Sequence, residues 1–245
     1  MRAMVTGAGR GIGRAVALEL AHGGWDVAIQ VHASVAAGEA VKLDIDGLGR
    51  RSLIVVADYA DKAQAVRSAR EVLEAWGTLD ALVLNAGISS PHGVFDMDEA
   101  DIDRVIDTNL KAPLLVGREV MRAMRESGRG GAIVIIGSAA GHTGGALVGP
   151  HYAASKAGTH AMVKSLAKAG APFGIRVNGI APGFVDTDGL DRMIEAHGIE
   201  PAKAVPLGRV GRPEEIARSA SFLLGDGASY VTGAMLDVNG GLVMR

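Results

Sequence analysis

The chain of 245 residues has no cysteine, so disulfides, thiolate nucleophiles and thiolate metal sites are excluded, and a reducing, cytoplasmic setting is compatible with it. It also lacks an excess of either charge. The formal net charge is -2 and no block of like charge stands out, which argues against nucleic acid or an anionic membrane as partner and favours a small molecule. Long apolar runs are missing as well. Stretches such as Ala132 to Ile136 fall far short of the roughly 20 residues a membrane-spanning helix requires. Met1 to Thr6 lead straight into a glycine-rich turn without the apolar core of a secretion signal, so a soluble protein without a targeting segment is expected. No proline- or serine-rich linker divides the chain, and one domain spanning 1–245 is the expectation.

Hydrophobic residues make up 48% against 21% charged, enough apolar material to bury a core. Short aliphatic runs recur at Ala3–Val5, Asp26–Val31, Leu53–Ala57, Ala81–Leu84, Ala132–Ile136, Arg176–Ile180 and Ala234–Val238. Helical patterns separate most of them. One is Ala60–Trp76, with Ala63, Val66, Ala69 and Leu73 at spacings of three and four and Gly77 as its stop. Alternating strand and helix, with strands apolar enough for cover on both sides, predict an α/β doubly wound fold: a mostly parallel seven-stranded sheet with helices on both faces. Ligands of such sheets bind beyond the carboxyl ends of the strands. The irregular stretch 184–212 follows one of those ends and is a candidate lid.

After the first strand comes Thr6-Gly7-Ala8-Gly9-Arg10-Gly11-Ile12-Gly13, leading into a helix. Glycines allow a tight turn and close approach of the backbone to a pyrophosphate, whose charge then meets free amides at the positive helix end. Glycine also marks ordinary turns, so other parts of the chain must support this reading. They do at several points: Asn85-Ala86-Gly87 after the fourth strand, Asn109, Ser138 after the fifth strand, Tyr152-Ala-Ala-Ser-Lys156, and Pro182-Gly183-Phe184-Val185-Asp186-Thr187 after the sixth.

In order and spacing this set resembles the short-chain dehydrogenase/reductase family over essentially the whole chain, and with it a Rossmann-type fold. Tyr152 and Lys156 lie four residues apart, so on one helix they share a face. The resemblance implies that Tyr152 exchanges a proton with a carbonyl or alcohol oxygen, Ser138 hydrogen-bonds that oxygen, Lys156 holds the nicotinamide ribose, and Asn109 organises a proton relay. A nearby ammonium and a cationic nicotinamide are expected to lower the phenol from its ordinary value near 10. Gly7, Gly9, Arg10, Gly11, Ile12, Gly13, His32, Asp58, Asn85, Ala86, Gly87, Tyr152, Lys156, Pro182, Gly183, Val185 and Thr187 are the expected cofactor contacts. Asp58 and Thr187 have rival readings as helix caps. Leu84 stands where many members have a second Asn, and Gly170 interrupts the pattern after Lys156, either loosening a helix end or permitting close packing.

Gln30 to Ser34 at the end of the second strand contain no acid to repel a 2′-phosphate, and Arg10 offers it a positive charge. NADP(H) is therefore expected, with NAD(H) not excluded. Asn-Ala-Gly-Ile and the terminal Val-Asn-Gly-Gly resemble the 3-oxoacyl-acyl-carrier-protein reductase branch, which implies a 3-oxoacyl thioester substrate and acyl carrier protein as a partner. A secondary-alcohol or sugar dehydrogenase would share every catalytic residue, and a non-catalytic cofactor-binding regulator is the alternative of another class. The resemblance also implies a homotetramer, pairing the helices near 113–124 and 152–168. Asp96, Asp98, Glu99, Asp101 and Asp103 read as helix-start acids rather than a metal cage, and no metal is expected. His151 is a weaker candidate for substrate contact.

Overall fold

Each aliphatic run expected to be a strand is one in the computed structural model, which describes every residue except Pro91 and Ala146. The strands are β1 (Arg2–Val5), β2 (Asp26–Val31), β3 (Ser52–Val56), β4 (Ala81–Leu84), β5 (Gly131–Ile136), β6 (Ile175–Pro182) and β7 (Met235–Val238). They form one parallel sheet in the order β3-β2-β1-β4-β5-β6-β7. The helices are α1 (Gly11–His22), α2 (Val35–Gly47), α3 (Lys62–Trp76), α4 (Glu99–Ile106), α5 (Ala112–Ser127), α6 (Ala140–Thr143), α7 (Pro150–Gly170), α8 (Asp188–His197), α9 (Pro201–Ala204) and α10 (Pro213–Leu224).

Alternation along the strands divides the core in two. Ala3, Val5, Val27, Ile29, Val83 and Val134 face α1, α2 and α10, whereas Met4, Ala28, Leu82, Ile133 and Ile135 face α3, α5 and α7. Both faces are covered, which is why the strands read as continuous apolar runs. From β3 the chain crosses β1 to form β4 on its far side, so the crevice of the switch point opens between the carboxyl ends of β1 and β4.

Side chains tie those ends together. Thr6 Oγ1 accepts the N–H groups of Asn85 and Ala86, both at 2.9 Å, while Asn85 Nδ2 donates to the carbonyls of Thr6 (2.9 Å) and Gly7 (3.2 Å). Gln30, a buried amide in the apolar strand β2, accepts the Gly7 N–H at 2.9 Å and donates to the carbonyls of Val31 and Ala57. The glycine turn is thus held from both sides before any ligand arrives.

Some local expectations are corrected. Helix α3 begins two residues later than its pattern suggested, because Asp61 caps it by accepting from Ala63 and Gln64. Asp58 instead accepts from Ala60 N at 2.9 Å and is not the cap. Thr187 stands at the start of α8, but its hydroxyl donates to the Val185 carbonyl and makes no cap bond. Gly170 does not interrupt α7. It ends the helix, and a Cβ there would stand 2.9 Å from the Ile175 carbonyl and 3.1 Å from Met121 Cε, so close packing explains it. The segment 184–212 carries α8 and α9, and its two stems meet where Val185 bridges Gly211.

Gln30→Leu should destabilise the protein by about 1–2 kcal/mol, since it leaves the half-buried Gly7 N–H and the Val31 and Ala57 carbonyls without their side-chain partner. Urea unfolding measures this; an unchanged midpoint would show that the turn does not depend on the amide.

Candidate active site

The glycine turn offers backbone amides and little else. Arg10 occupies the N-cap of α1 without making a side-chain cap bond, and the first turn carries no acid. Gly7 (φ 64) and Gly11 (φ 53) adopt left-handed conformations. A Cβ on Gly13 would strike the Gly7 carbonyl, and one on Gly9 would lie 3.2 Å from Val31 Cγ1. Gly7, Gly9, Gly11, Ile12 and Gly13 therefore form an uncapped, positively polarised helix start with a close-fitting backbone, which suits the pyrophosphate of a dinucleotide. Thr187 faces this turn, its Cγ2 3.3 Å from where a Gly11 Cβ would stand.

On the side expected to take the adenosine ribose, Val31 ends β2. His32 Nε2 lies 3.6 Å from Asp58 Oδ2, with both side chains well exposed. Arg10 Nη1 pairs with a surface carboxylate, Asp188 Oδ2, at 3.1 Å, joining the glycine turn to the first residue of α8. The partner is 178 residues away in sequence, which is why the pairing was not legible there.

The chemistry-bearing residues gather where α7 passes the carboxyl end of β5. Tyr152 and Lys156 share a face of α7, with Lys156 Nζ 5.8 Å from the centroid of the Tyr152 ring. Lys156 is buried, and its ammonium donates to the Ile136 carbonyl at 2.9 Å. Ser138 lies just beyond β5, where its Oγ accepts from Ala140 N at 3.1 Å. Asn109 occupies a π-helical turn, Asp107–Lys111, inserted between α4 and α5. Such turns frequently mark functional sites. Its amide exchanges two 2.8 Å bonds with the Ile88 backbone and donates to Ser155 Oγ at 3.1 Å. Gly87 fills the joint between them: a Cβ there would be 3.2 Å from Asn109 Oδ1 and 3.6 Å from Lys156 Nζ. Pro182 and Gly183 close the floor at the end of β6, where a Cβ on Gly183 would be 3.0 Å from Asn239 Cβ.

Electrostatics divide the expected lowering of the phenol between the protein and the cofactor. In the protein without cofactor, burial raises the Tyr152 phenol above its ordinary value, with the nearby Ser138 hydroxyl pulling the other way. Lys156 is itself pushed down to about 8 by burial. Lowering of the phenol therefore depends on the further positive charge of an oxidised nicotinamide.

Sequence reasoning missed Thr6, Gln30, Ser155 and His160, all of which hold the site. A glutamine inside an aliphatic strand and a histidine one helical step beyond Lys156 were the available signals. His151 is buried with its Nε2 3.2 Å from Asp101 Oδ2. Asp101 also accepts from Ser90 Oγ and lies 2.9 Å from His92 Nδ1, while Asp98 caps α4. An open pocket of about 440 Å³ lies against α9, walled by Leu147, Phe184, Ile199, Pro201 and Ala204 with Glu200 and Lys203 among its lining.

This arrangement agrees with known proteins. Residues 7–243 match the family described as Enoyl-(Acyl carrier protein) reductase. The chain is 38% identical over 243 residues to 3-oxoacyl-acyl-carrier-protein reductase FabG of Staphylococcus aureus, covering 99% of this chain and 98% of that protein. It is 39% identical over 248 residues to L-rhamnose 1-dehydrogenase (NAD(P)(+)) of Azotobacter vinelandii, covering 99% and 96%. A short-chain type dehydrogenase/reductase from Mycobacterium marinum superposes with a TM-score of 0.93 at 33% identity, covering 100% and 96%. The chain belongs to the short-chain dehydrogenase/reductase family and is an oxidoreductase. The family binds a nicotinamide dinucleotide, which the glycine turn and Lys156 fit. Among the described residues, no helix is long and apolar enough to cross a membrane.

Lys156 carries a stability consequence. Its folded value of about 8 lies below the ordinary 10.5, so between them the folded chain holds fewer protons than the unfolded one. Stability from this group rises with pH across that window, and its cost is greatest below it. Lys156→Met should then stabilise the cofactor-free protein at pH 7 by up to about 3 kcal/mol and flatten the rise toward pH 10. Urea unfolding at the two pH values checks this; a variant less stable at both would contradict it.

Proposed function

We propose that the chain is an NADP(H)-dependent reductase converting a carbonyl to a secondary alcohol, with a 3-oxoacyl thioester as the leading substrate. The observation that carries this reading is the convergence of Tyr152, Lys156 and Ser138 at the carboxyl end of β5, beside a helix start shaped for a pyrophosphate. A nicotinamide held there would supply the hydride for the carbonyl carbon. Ser138 Oγ hydrogen-bonds the carbonyl oxygen and Tyr152 gives that oxygen its proton. Lys156 holds the ribose hydroxyls and stabilises the resulting phenolate, and Asn109 orders the path by which Tyr152 is reprotonated. In alcohol oxidation the same groups work in reverse.

Gly7, Gly9, Gly11, Ile12 and Gly13 take the pyrophosphate, with Asp58, Asn85, Ala86 and Gly87 lining the adenine and ribose. Pro182, Gly183, Val185 and Thr187 flank the carboxamide. For the 2′-phosphate, the absence of an acid at Val31 and the charges of Arg10 and His32 support NADP(H); Arg10 must exchange Asp188 for the phosphate. Segment 184–212 serves as a lid, and the largely apolar surface of its open pocket suits an acyl chain, carried by an acyl carrier protein as in the named activity of the Staphylococcus relative. The Azotobacter relative favours a second reading, oxidation of a sugar. A cytoplasmic homotetramer completes the proposal.

The test is turnover of an oxoacyl thioester, a simple ketone and an aldose with each cofactor, for wild type and Tyr152→Phe. NADPH should give the higher kcat/KM with the thioester, and Tyr152→Phe should lose at least about 100-fold in kcat while retaining cofactor affinity. A clear advantage for NADH, or near-wild-type turnover by Tyr152→Phe, contradicts the proposal.

A further inference from the structure

We propose that His160 is a positioning residue for Ser138, holding the backbone from which the serine hydroxyl reaches the substrate oxygen. The inference rests on the role given to Ser138 above. Helix α7 brings Tyr152, Lys156 and His160 onto one face at successive steps of four residues. The second and third both grip the chain leaving β5: Lys156 Nζ donates to the Ile136 carbonyl at 2.9 Å, and His160 Nε2 accepts the Ser138 N–H at 3.5 Å.

That last bond is long, but the packing around the ring is close. A Cβ on Gly137 would stand 2.6 Å from His160 Nε2, and a Cβ on Gly141 would stand 2.6 Å from Cε1. These two glycines bracket Ser138, so only hydrogen fits on either side of the serine where the imidazole lies against the loop. Both positions have non-positive φ, so packing and not a left-handed backbone excludes a side chain there: the ring stands against both, with the Ile180 carbonyl 3.1 Å from a Cβ on Gly137 and the Lys156 backbone 2.9 Å from one on Gly141.

A second layer fixes the ring from behind. The His142 ring lies 4.2 Å from it, centroid to centroid, and His142 Nε2 is 3.2 Å from Asp237 Oδ1. Arg245 completes the series, its Nε donating to Asp237 Oδ2 and its Nη2 to the Met235 carbonyl, both at 3.0 Å. Burial and the neighbouring His142, Arg245 and Lys156 hold His160 down at about 4 against the opposing pull of Asp237. The ring is therefore neutral at physiological pH, with the lone pair that an acceptor at Nε2 requires and its proton on Nδ1. Small displacements of a substrate-positioning group are costly to rate, so loosening this loop should act on turnover more than on cofactor binding.

The experiment compares kcat and KM for wild type, His160→Phe, His160→Gln, Ser138→Ala and the double variant Ser138→Ala/His160→Phe, with cofactor affinity measured separately. His160→Phe should lower kcat about ten-fold with cofactor affinity unchanged, and His160→Gln, which restores an acceptor, should recover part of it. In the Ser138→Ala background the Phe substitution should cost nothing further. Equal losses in both backgrounds, or an unchanged kcat for His160→Phe, would overturn the inference while leaving the role of Ser138 standing. Full kcat in Ser138→Ala would remove that role and this inference with it. Should His160→Phe fail to fold, Asp237→Asn takes its place in the same cycle, with a smaller loss expected only when Ser138 is present; loss in both backgrounds would again overturn it.

Discussion

Lys156 carries its ammonium into the interior, where the Ile136 carbonyl accepts it and water is largely excluded. Much of the site follows from that placement. Helix α7 must lie close to the end of β5 for the bond to form, and the Gly87 backbone packs beside it, where a Cβ would press on Asn109 Oδ1 at 3.2 Å. The same approach puts Tyr152 one turn earlier over the cleft and His160 one turn later under the Ser138 loop. Burial depresses the lysine toward neutral pH, a standing cost to the empty fold that an anionic dinucleotide and a developing phenolate would relieve.

Opposite this helix, the glycine turn is rigid for a different reason. Its conformation is imposed by neutral amides and a hydroxyl, Gln30, Asn85 and Thr6, which satisfy backbone groups from both flanks and add no charge. The positive end of α1 is thereby left unneutralised. Between these fixed walls, the segment 184–212 touches the turn through Thr187 beside Gly11 and through the exposed Arg10–Asp188 pair. Exposed pairs of this kind are weak, on the order of 1 kcal/mol or less, so this contact can exchange for a ligand at little cost.

Sheet and catalytic helix were legible in the sequence because each has a local code. Strands covered on both faces, such as Ala81–Leu84 and Ile133–Ile136, read as unbroken aliphatic runs, and Tyr152 and Lys156 stand at helical spacing. What could not be read depends on distant partners or on burial. Asp188 meets Arg10 across most of the chain, and Asp237 meets His142 only after β7 has joined β6. The π turn at Asn109 leaves no periodic trace. The rise of the phenol in the cofactor-free protein was not legible either, since a sequence shows the lysine charge but not the desolvation that accompanies a site buried enough to use it.

The central claim is that Tyr152 becomes an effective acid or base only with cofactor charge beside it. Titration of the tyrosines by ultraviolet absorption, with and without the oxidised cofactor, tests this directly, because the chain has only three. Tyr59 is buried and titrates far above the ordinary range, and Tyr230 is fully exposed. The account predicts that one phenol, missing from Tyr152→Phe, titrates above its ordinary value in the empty protein and clearly lower once the oxidised cofactor is bound. Identical titrations with and without the cofactor would contradict it.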